Sequence, residues 1–591
     1  MSSLIECLRM GIAAEARRAA WVAVLAVVAG PRWIAAAEPP PVPPVRVAYF
    51  VPADRKPLPR YEERLDRVMT EVQRFYREGM NGAGYGPRTF RLERDERDRL
   101  RVHLARGRHP MQTYGRDASD AVRREVQAAL SKQRVDLDRD TWVIFQVLLR
   151  WDGDRATEVG PYCGGGSHLA GTAWVYDDER LDARLLGSKA PGGYYGQPCS
   201  LGEFNSHYVG GVAHELGHAF GLPHDCQRLS DSKRGLSLMG GGNHTYGQEQ
   251  RGEGPGTFLS AASAMMLASS RPFAGDREDA RRPPSCRLSG LDARFADGKL
   301  VLTGRVAAQP AASGIAAFND WAQVPGDYDA VSWTCPIQSD GGFRLEVGEM
   351  RPGLSQLRLR VCHANGTASE FAFDYQVDSK GKPDCDVFRH RLALDEAVEA
   401  YAAGDRARAE SLAAELGERF SHLPEVRRKA AHLQALLKPA PLQPLLEIPA
   451  KDGWVPLSGA KPRSDSVGWG RPLRDEVLIE RPGQCFLQVG GQFFERGLFA
   501  HAPAKHEWDL ARQWQRFRTA YGVQDGHEGS VVFVVLGDGR ELHRSAVVRD
   551  HTLGKVEVDV RGVDVLELAV EDGGDGAHSD WGVWISPELG K

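Results

Sequence analysis

Little in this chain points toward nucleic acid or a bilayer. Lys and Arg total 75 against 79 Asp and Glu, a net charge of −4. There is no basic excess to draw a phosphate backbone or an anionic membrane surface. Long apolar runs are scarce too. The exception is Ala19 to Gly30, which follows Arg17 and Arg18 and precedes Ala35-Ala36-Ala37. That run is too short for a convincing span, and the small residues suit cleavage before Glu38. Residues 1–37 therefore read as a secretory signal, with an uncleaved anchor as the alternative. No other run suggests a membrane span once the signal is removed, so a soluble protein, secreted, periplasmic or held at the cell surface, is expected. No cysteine follows the run at a lipoprotein position. None of the nine cysteines forms a CxxC pair, so a thiolate metal site of that kind is absent. Without Cys7 an even number remains, which suits disulfides in an oxidising compartment. Cys163 with Cys199 and Cys335 with Cys362 are the expected pairs, and Cys226 can equally be a buried thiol.

What the chain does contain is Val212-Ala213-His214-Glu215-Leu216-Gly217-His218-Ala219-Phe220-Gly221-Leu222-Pro223-His224-Asp225. On a helix, His214 and His218 project from one face and can share an ion. Gly221 can take the left-handed conformation that ends a helix, and Pro223 cannot continue one. The chain then turns back, so His224 can approach as a third ligand. A catalytic zinc uses three protein ligands and keeps a fourth position open. Glu215 can reach water at that position and act as general base. HExxH alone recurs by chance, whereas the longer HExxHxxGxxH rarely does.

HELGHAFGLPHD resembles the signature of the metzincin zinc metallopeptidases. The resemblance implies a methionine turn beneath the metal. Ser237-Leu238-Met239-Gly240-Gly241-Gly242 is the candidate, with Met239 the nearest Met after His224. Met265 and Met266 sit in a helical apolar run and read as core. Some metzincins carry a tyrosine two residues beyond that Met as an extra ligand or oxyanion donor. This chain has Gly241 there, and Tyr246 is the nearby alternative. Asp225 is implied to anchor the turn, or else is a loop carboxylate. His168, His207 and His244 read as structural or exposed.

At 591 residues the chain should hold three to five domains. A multidomain α+β architecture is expected. The peptidase unit spans 38–282. It begins with a strand at 46–51, an amphipathic helix at 61–79, a hairpin around 90–104 and a helix at 117–132. A buried strand at 142–149 and another at 171–176 precede the histidine helix, and a last helix lies near 256–270. The resemblance implies an edge strand that pairs with the peptide substrate, and Ala170 to Trp174 is its expected position. Residues 283–380 alternate as an immunoglobulin-like β-sandwich, with a role in spacing or docking. Residues 385–440 form a helical hairpin of tetratricopeptide type, which must pack on a neighbour because one repeat cannot bury its own face. A proline-rich linker covers 441–451.

Residues 452–591 carry a second resemblance. Gly497-Leu498-Phe499-Ala500-His501-Ala502-Pro503, Tyr521-Gly522-Val523, the run 529–539 with Gly537-Asp538-Gly539, and Asp580-Trp581 follow one another in the order of the NPCBM family. The resemblance implies a carbohydrate-binding, galactose-binding-like β-sandwich of jelly-roll type. Asp580, Trp581 and Trp584 are the candidate sugar contacts, with a core role for both tryptophans as the alternative. Asp572-Gly573-Gly574-Asp575-Gly576 could hold Ca²⁺ or be an ordinary acidic loop. The expected function is a secreted zinc endopeptidase cleaving protein or peptide and directed to glycans. The alternatives are an inactive adhesion scaffold and a carbohydrate-active enzyme. No separate catalytic domain with paired carboxylates is evident for the latter.

Overall fold

The computed structural model describes residues 41–591 except Arg134, Gly196, 322–326 and 481–482. The expected signal, 1–37, lies outside the described residues. Pro44–Val51 (β1) is buried along nearly its whole length, and its apolar residues put it inside a sheet. Arg91–Leu92 (β2) and Val102–Arg106 (β3) line up along one edge of β1, both parallel to it. The expected hairpin survives as the turn between them, closed where Arg94 bridges Leu100, but its arms pair with β1 rather than with each other. Thr141–Gln146 (β4) takes the other edge of β1, also parallel, and Gly171–Tyr176 (β6) follows it. Cys163–Gly166 (β5) ends the sheet antiparallel to β6. Ala170 to Trp174 is therefore not an edge, because β6 has a partner on each side. The edge is β5.

Helices Tyr61–Gly82 (α1) and Ser119–Leu130 (α2) bury the apolar faces that their periodicity marks out, including Leu65, Val68 and Met69 on α1 and Val122 and Val126 on α2. The central helix, Leu201–Ala219 (α3), starts at a capping box in which the Ser200 hydroxyl accepts from the Glu203 amide and Glu203 accepts from the Ser200 amide. It lies beneath β5 and β6 and is buried on nearly every side. Ala261–Leu267 (α4) carries Met265 and Met266 to the junction with the next unit.

Seven antiparallel strands follow, in two facing sheets. Ser285–Ala296 (β7), Lys299–Gln309 (β8) and Gly342–Val347 (β11) form one. Ala312–Trp321 (β9), Val331–Pro336 (β10), Gly353–His363 (β12) and Ala368–Val377 (β13) form the other. Leu302, Ile315, Leu345, Leu359 and Val361 fill the space between them. Helices Asp386–Ala402 (α5), Arg406–Arg419 (α6) and Pro424–Leu437 (α7) bridge onward. Phe388 of α5 enters the sandwich core, while Leu394, Leu416 and Leu433 pack with Cys485, Phe486 and Phe493 of the last unit. The hairpin thus buries its faces against both neighbours. The C-terminal unit has two large facing antiparallel sheets, with Leu498, Trp508, Phe517, Phe533 and Trp584 among the residues between them, and a small two-stranded sheet at 487–494.

The disulfide expectation is corrected. All eight described cysteines are free thiols. Cys335 and Cys362 lie on the two strands flanking β9, but Cys335 pairs with Ile315 and Cys362 with Gly314. Successive residues of a strand face opposite ways, so Cys335 enters the sandwich core while Cys362 faces Ala262 of α4. Cys163 and Cys199 belong to different sheets.

Candidate metal centre

α3 ends where the sequence suggests. Gly221 has φ +85°, the left-handed value that disfavours a Cβ. The reversal returns His224 toward the helix. His218 Nε2 then lies 3.1 Å from His214 Nε2 and 3.0 Å from His224 Nε2. Among the described residues, these three histidines are the group of His, Cys, Asp or Glu positioned to hold a metal ion. The acidic loop at 572–576 does not form such a group. There the Asp572 carboxylate accepts from the Gly574 amide, and that of Asp575 from the Ser530 hydroxyl.

Each imidazole is held from behind. His214 Nδ1 lies 2.7 Å from the Leu238 carbonyl, and His218 Nδ1 lies 2.9 Å from the Leu222 carbonyl. His224 Nδ1 lies 2.7 Å from Asp327 Oδ1. A carbonyl can only accept, so the first two rings donate from Nδ1, and the Asp327 carboxylate asks the same of His224. All three Nε2 lone pairs then face one point at close range, an arrangement that a cation relieves. Burial, then the neighbouring His218, pushes His214 down to about 3, so protons do not fill that role at neutral pH. The spacing is near the ~3.4 Å edge of a tetrahedron of nitrogens about 2.05 Å from one zinc. The donor set fits zinc.

Glu215 projects from the same helix turn, and burial raises its carboxyl to about 8. Met239 lies under the helix. A Cβ built on Gly217 would come within 2.4 Å of its Sδ, so the methionine requires a glycine there. Tyr76 ties α1 to this turn, its hydroxyl donating to the Ala213 carbonyl at 2.8 Å. Tyr246 is committed elsewhere, with its buried hydroxyl on Glu71 at 3.1 Å. His168 sits on the Ala280 carbonyl at 2.9 Å, and His207 lies 3.3 Å from His244, nitrogen to nitrogen.

The sandwich, read from sequence as a unit for spacing or docking, reaches into this site. Asp327 comes from the loop between β9 and β10. The hydrogen bond from His224 holds its carboxyl down at about 2, and Arg358 steadies its other oxygen at 3.3 Å. Tyr328 stacks on the His224 ring, centroids 3.7 Å apart and planes 27° apart, yet stays 56 % exposed. Burial, then Glu215 and Asp327, raise its phenol above the ordinary range. Asp225 is fully buried and accepts from Ser237, from Ser260 at 2.5 Å and from Ser332 of β10 at 2.8 Å. Asp327, Tyr328 and Ser332 were missed because no local spacing links them to His224. Asp327 and Tyr328 lie in a loop and Ser332 in an ordinary alternating strand, so none of them carries a local signal.

The expected sugar contacts are corrected. Asp580, Trp581 and Trp584 are all buried, at 0 %, 2 % and 0 % exposure. The strand Trp581–Gly590 runs through the middle of its sheet, and both of its faces are covered. Trp584 fills the core between the sheets, while Trp581 lies beneath His527, ring centroids 3.8 Å apart.

Residues 453–590 match the NPCBM/NEW2 domain family. A 129-residue stretch is 29% identical to a Renibacterium salmoninarum protein named "Putative endo-alpha-N-acetylgalactosaminidase", covering 21% of this chain and 8% of that one. The chain thus spans under a tenth of that relative's length. Wild-type OgpA from Akkermansia muciniphila aligns at a TM-score of 0.50 and 23% identity, covering 57% of this chain and 94% of that one. Catalytically inactive OgpA, in complex with the O-glycopeptide substrate glycodrosocin, aligns at 0.50 and 22%, with the same coverage. At these identities the likeness is one of fold.

Proposed function

We propose that the chain is a secreted zinc endopeptidase of metzincin type that cleaves O-glycosylated peptides or proteins. In this reading 38–282 is the peptidase unit, 283–380 completes its site, and 452–591 is a glycan-directed module. The observation that carries it is the convergence of three imidazole Nε2 atoms, each with its Nδ1 engaged from behind. The shared fold with OgpA, whose inactive form was captured with an O-glycopeptide substrate, supports the substrate class.

His214, His218 and His224 would hold zinc, which supplies Lewis acidity toward the scissile carbonyl and its water. Glu215 accepts a proton from the attacking water and delivers it to the departing amine. Its raised pKa suits both halves of that exchange. Met239 supports the turn beneath the histidines. β5, as the antiparallel sheet edge beside α3, suits an extended peptide paired along it.

Mass spectrometry of glycodrosocin, with and without its glycan, tests the reading in the zinc-loaded full chain. Cleavage of the glycosylated peptide and its loss in Glu215→Gln are expected. Release of free sugar with an intact peptide chain would favour the carbohydrate-active alternative. No product from either peptide would favour the scaffold.

A further inference from the structure

Hydrolysis of an amide places negative charge on the carbonyl oxygen, and that charge needs a donor. The residues around the triad leave few. The three imidazoles spend their Nδ1 protons on Leu238, Leu222 and Asp327. Glu215 is the proton acceptor. Gly241 has no side chain, and the Tyr246 hydroxyl is held by Glu71. Arg358 is directed to Asp327.

Tyr328 remains. Its ring lies flat on His224, and its hydroxyl is not engaged by any described residue. It is also fixed in place. On one side Asp327 is tied to His224 at 2.7 Å. On the other, the Cys226 amide donates to the Ala330 carbonyl at 2.8 Å, and the Cys226 thiol meets the Asp329 carbonyl at 3.2 Å. The residues flanking the tyrosine are thus strapped to the third histidine and to Cys226, two residues beyond it. An exposed aromatic held this firmly beside the three converging imidazoles is costly to hydrate and is placed to meet substrate.

We propose that Tyr328, supplied by the sandwich, is a catalytic residue of the peptidase site and donates a hydrogen bond to the oxyanion. The inference rests on the zinc-peptidase reading above. Water oxygen adds to the carbonyl carbon as Glu215 takes one of its protons. The carbonyl π pair moves onto oxygen, which accepts the Tyr328 O–H hydrogen bond without proton transfer. Collapse re-forms the carbonyl and breaks the C–N bond, and the nitrogen takes the proton from Glu215.

Tyr328→Phe keeps the ring on His224 and removes the hydroxyl alone. In the zinc-loaded full chain with glycodrosocin, kcat should fall roughly 100-fold with KM unchanged within about twofold. Calorimetry gives a second readout. Affinity for a glycopeptide phosphonamidate, whose P–O⁻ mimics the oxyanion, should fall by a similar factor, and affinity for the cleaved product should not. Tyr328→Ala should add a rise in KM. Wild-type kcat in Tyr328→Phe, or equal loss of phosphonamidate and product binding, overturns the proposal. If the wild type cleaves nothing, the peptidase reading fails. The phosphonamidate comparison still decides Tyr328, with equal affinities overturning it.

Discussion

Ser332 of the sandwich donates its hydroxyl to the buried carboxylate of Asp225 at 2.8 Å. Asp225 directly follows the third histidine, so this bond joins the sandwich to the turn that returns His224 to α3. Burial holds the Asp225 carboxyl above its ordinary range despite its three hydroxyl donors. Ser332→Ala leaves a buried carboxylate short of one donor. Folding stability of the full chain should fall by about 1–3 kcal/mol in urea titrations. An unchanged midpoint would mean that the bond contributes nothing.

Asp327 lies behind His224 rather than at the substrate. A carboxylate in that place fixes the tautomer and the ring orientation of a metal ligand. Asp327→Asn and Asp327→Ala should weaken zinc binding about 10- to 100-fold in competition with a chromophoric chelator. Circular dichroism of the metal-free protein should change little. Unaltered zinc affinity in both variants would reduce the contact to domain docking.

In the zinc-peptidase reading proposed above, Glu215 would link metal binding to protons. Burial raises its carboxyl to about 8 in the metal-free chain, so at pH 7 it is mostly protonated. A cation beside it favours the carboxylate and pulls the pKa back down. Zinc binding at pH 7 should therefore release about one proton from this group. Calorimetry in buffers of different ionisation enthalpy measures the release, and Glu215→Gln should abolish it. Equal release in the variant would assign the proton elsewhere.

In the C-terminal unit, Trp584 is fully buried between the two sheets. Trp584→Ala should lower that unit's stability by about 3–5 kcal/mol, seen as an earlier unfolding transition of the full chain. A sugar contact would instead leave the melt unchanged and lose glycan binding.

The histidine triad was legible because one short segment carries it. Helical spacing aligns His214 with His218, and the Gly221 and Pro223 pair turns His224 back. Asp327, Tyr328 and Ser332 were not legible, because they arrive through packing between units. Cys226 pairs with Val331 as an isolated parallel bridge, far apart in sequence, and nothing in the alternation of β9 and β10 announces it. The same strand alternation misled elsewhere. Cys335 and Cys362 are an expected pair because both fall within one domain, yet their register sends them to opposite faces. Trp581 and Trp584 belong to a strand covered on both faces, where an aromatic ring has no route to solvent. Helix α3 was foreseen, but the edge strand was displaced to β5, whose glycines give little strand signal.

Zinc content of the purified full chain, by inductively coupled plasma mass spectrometry after equilibration with a small excess of zinc and desalting, tests the central claim most directly. One zinc per chain in the wild type, and far less than one in His218→Ala, is the predicted result. A wild-type protein that retains no zinc, or a variant that retains as much, would contradict it.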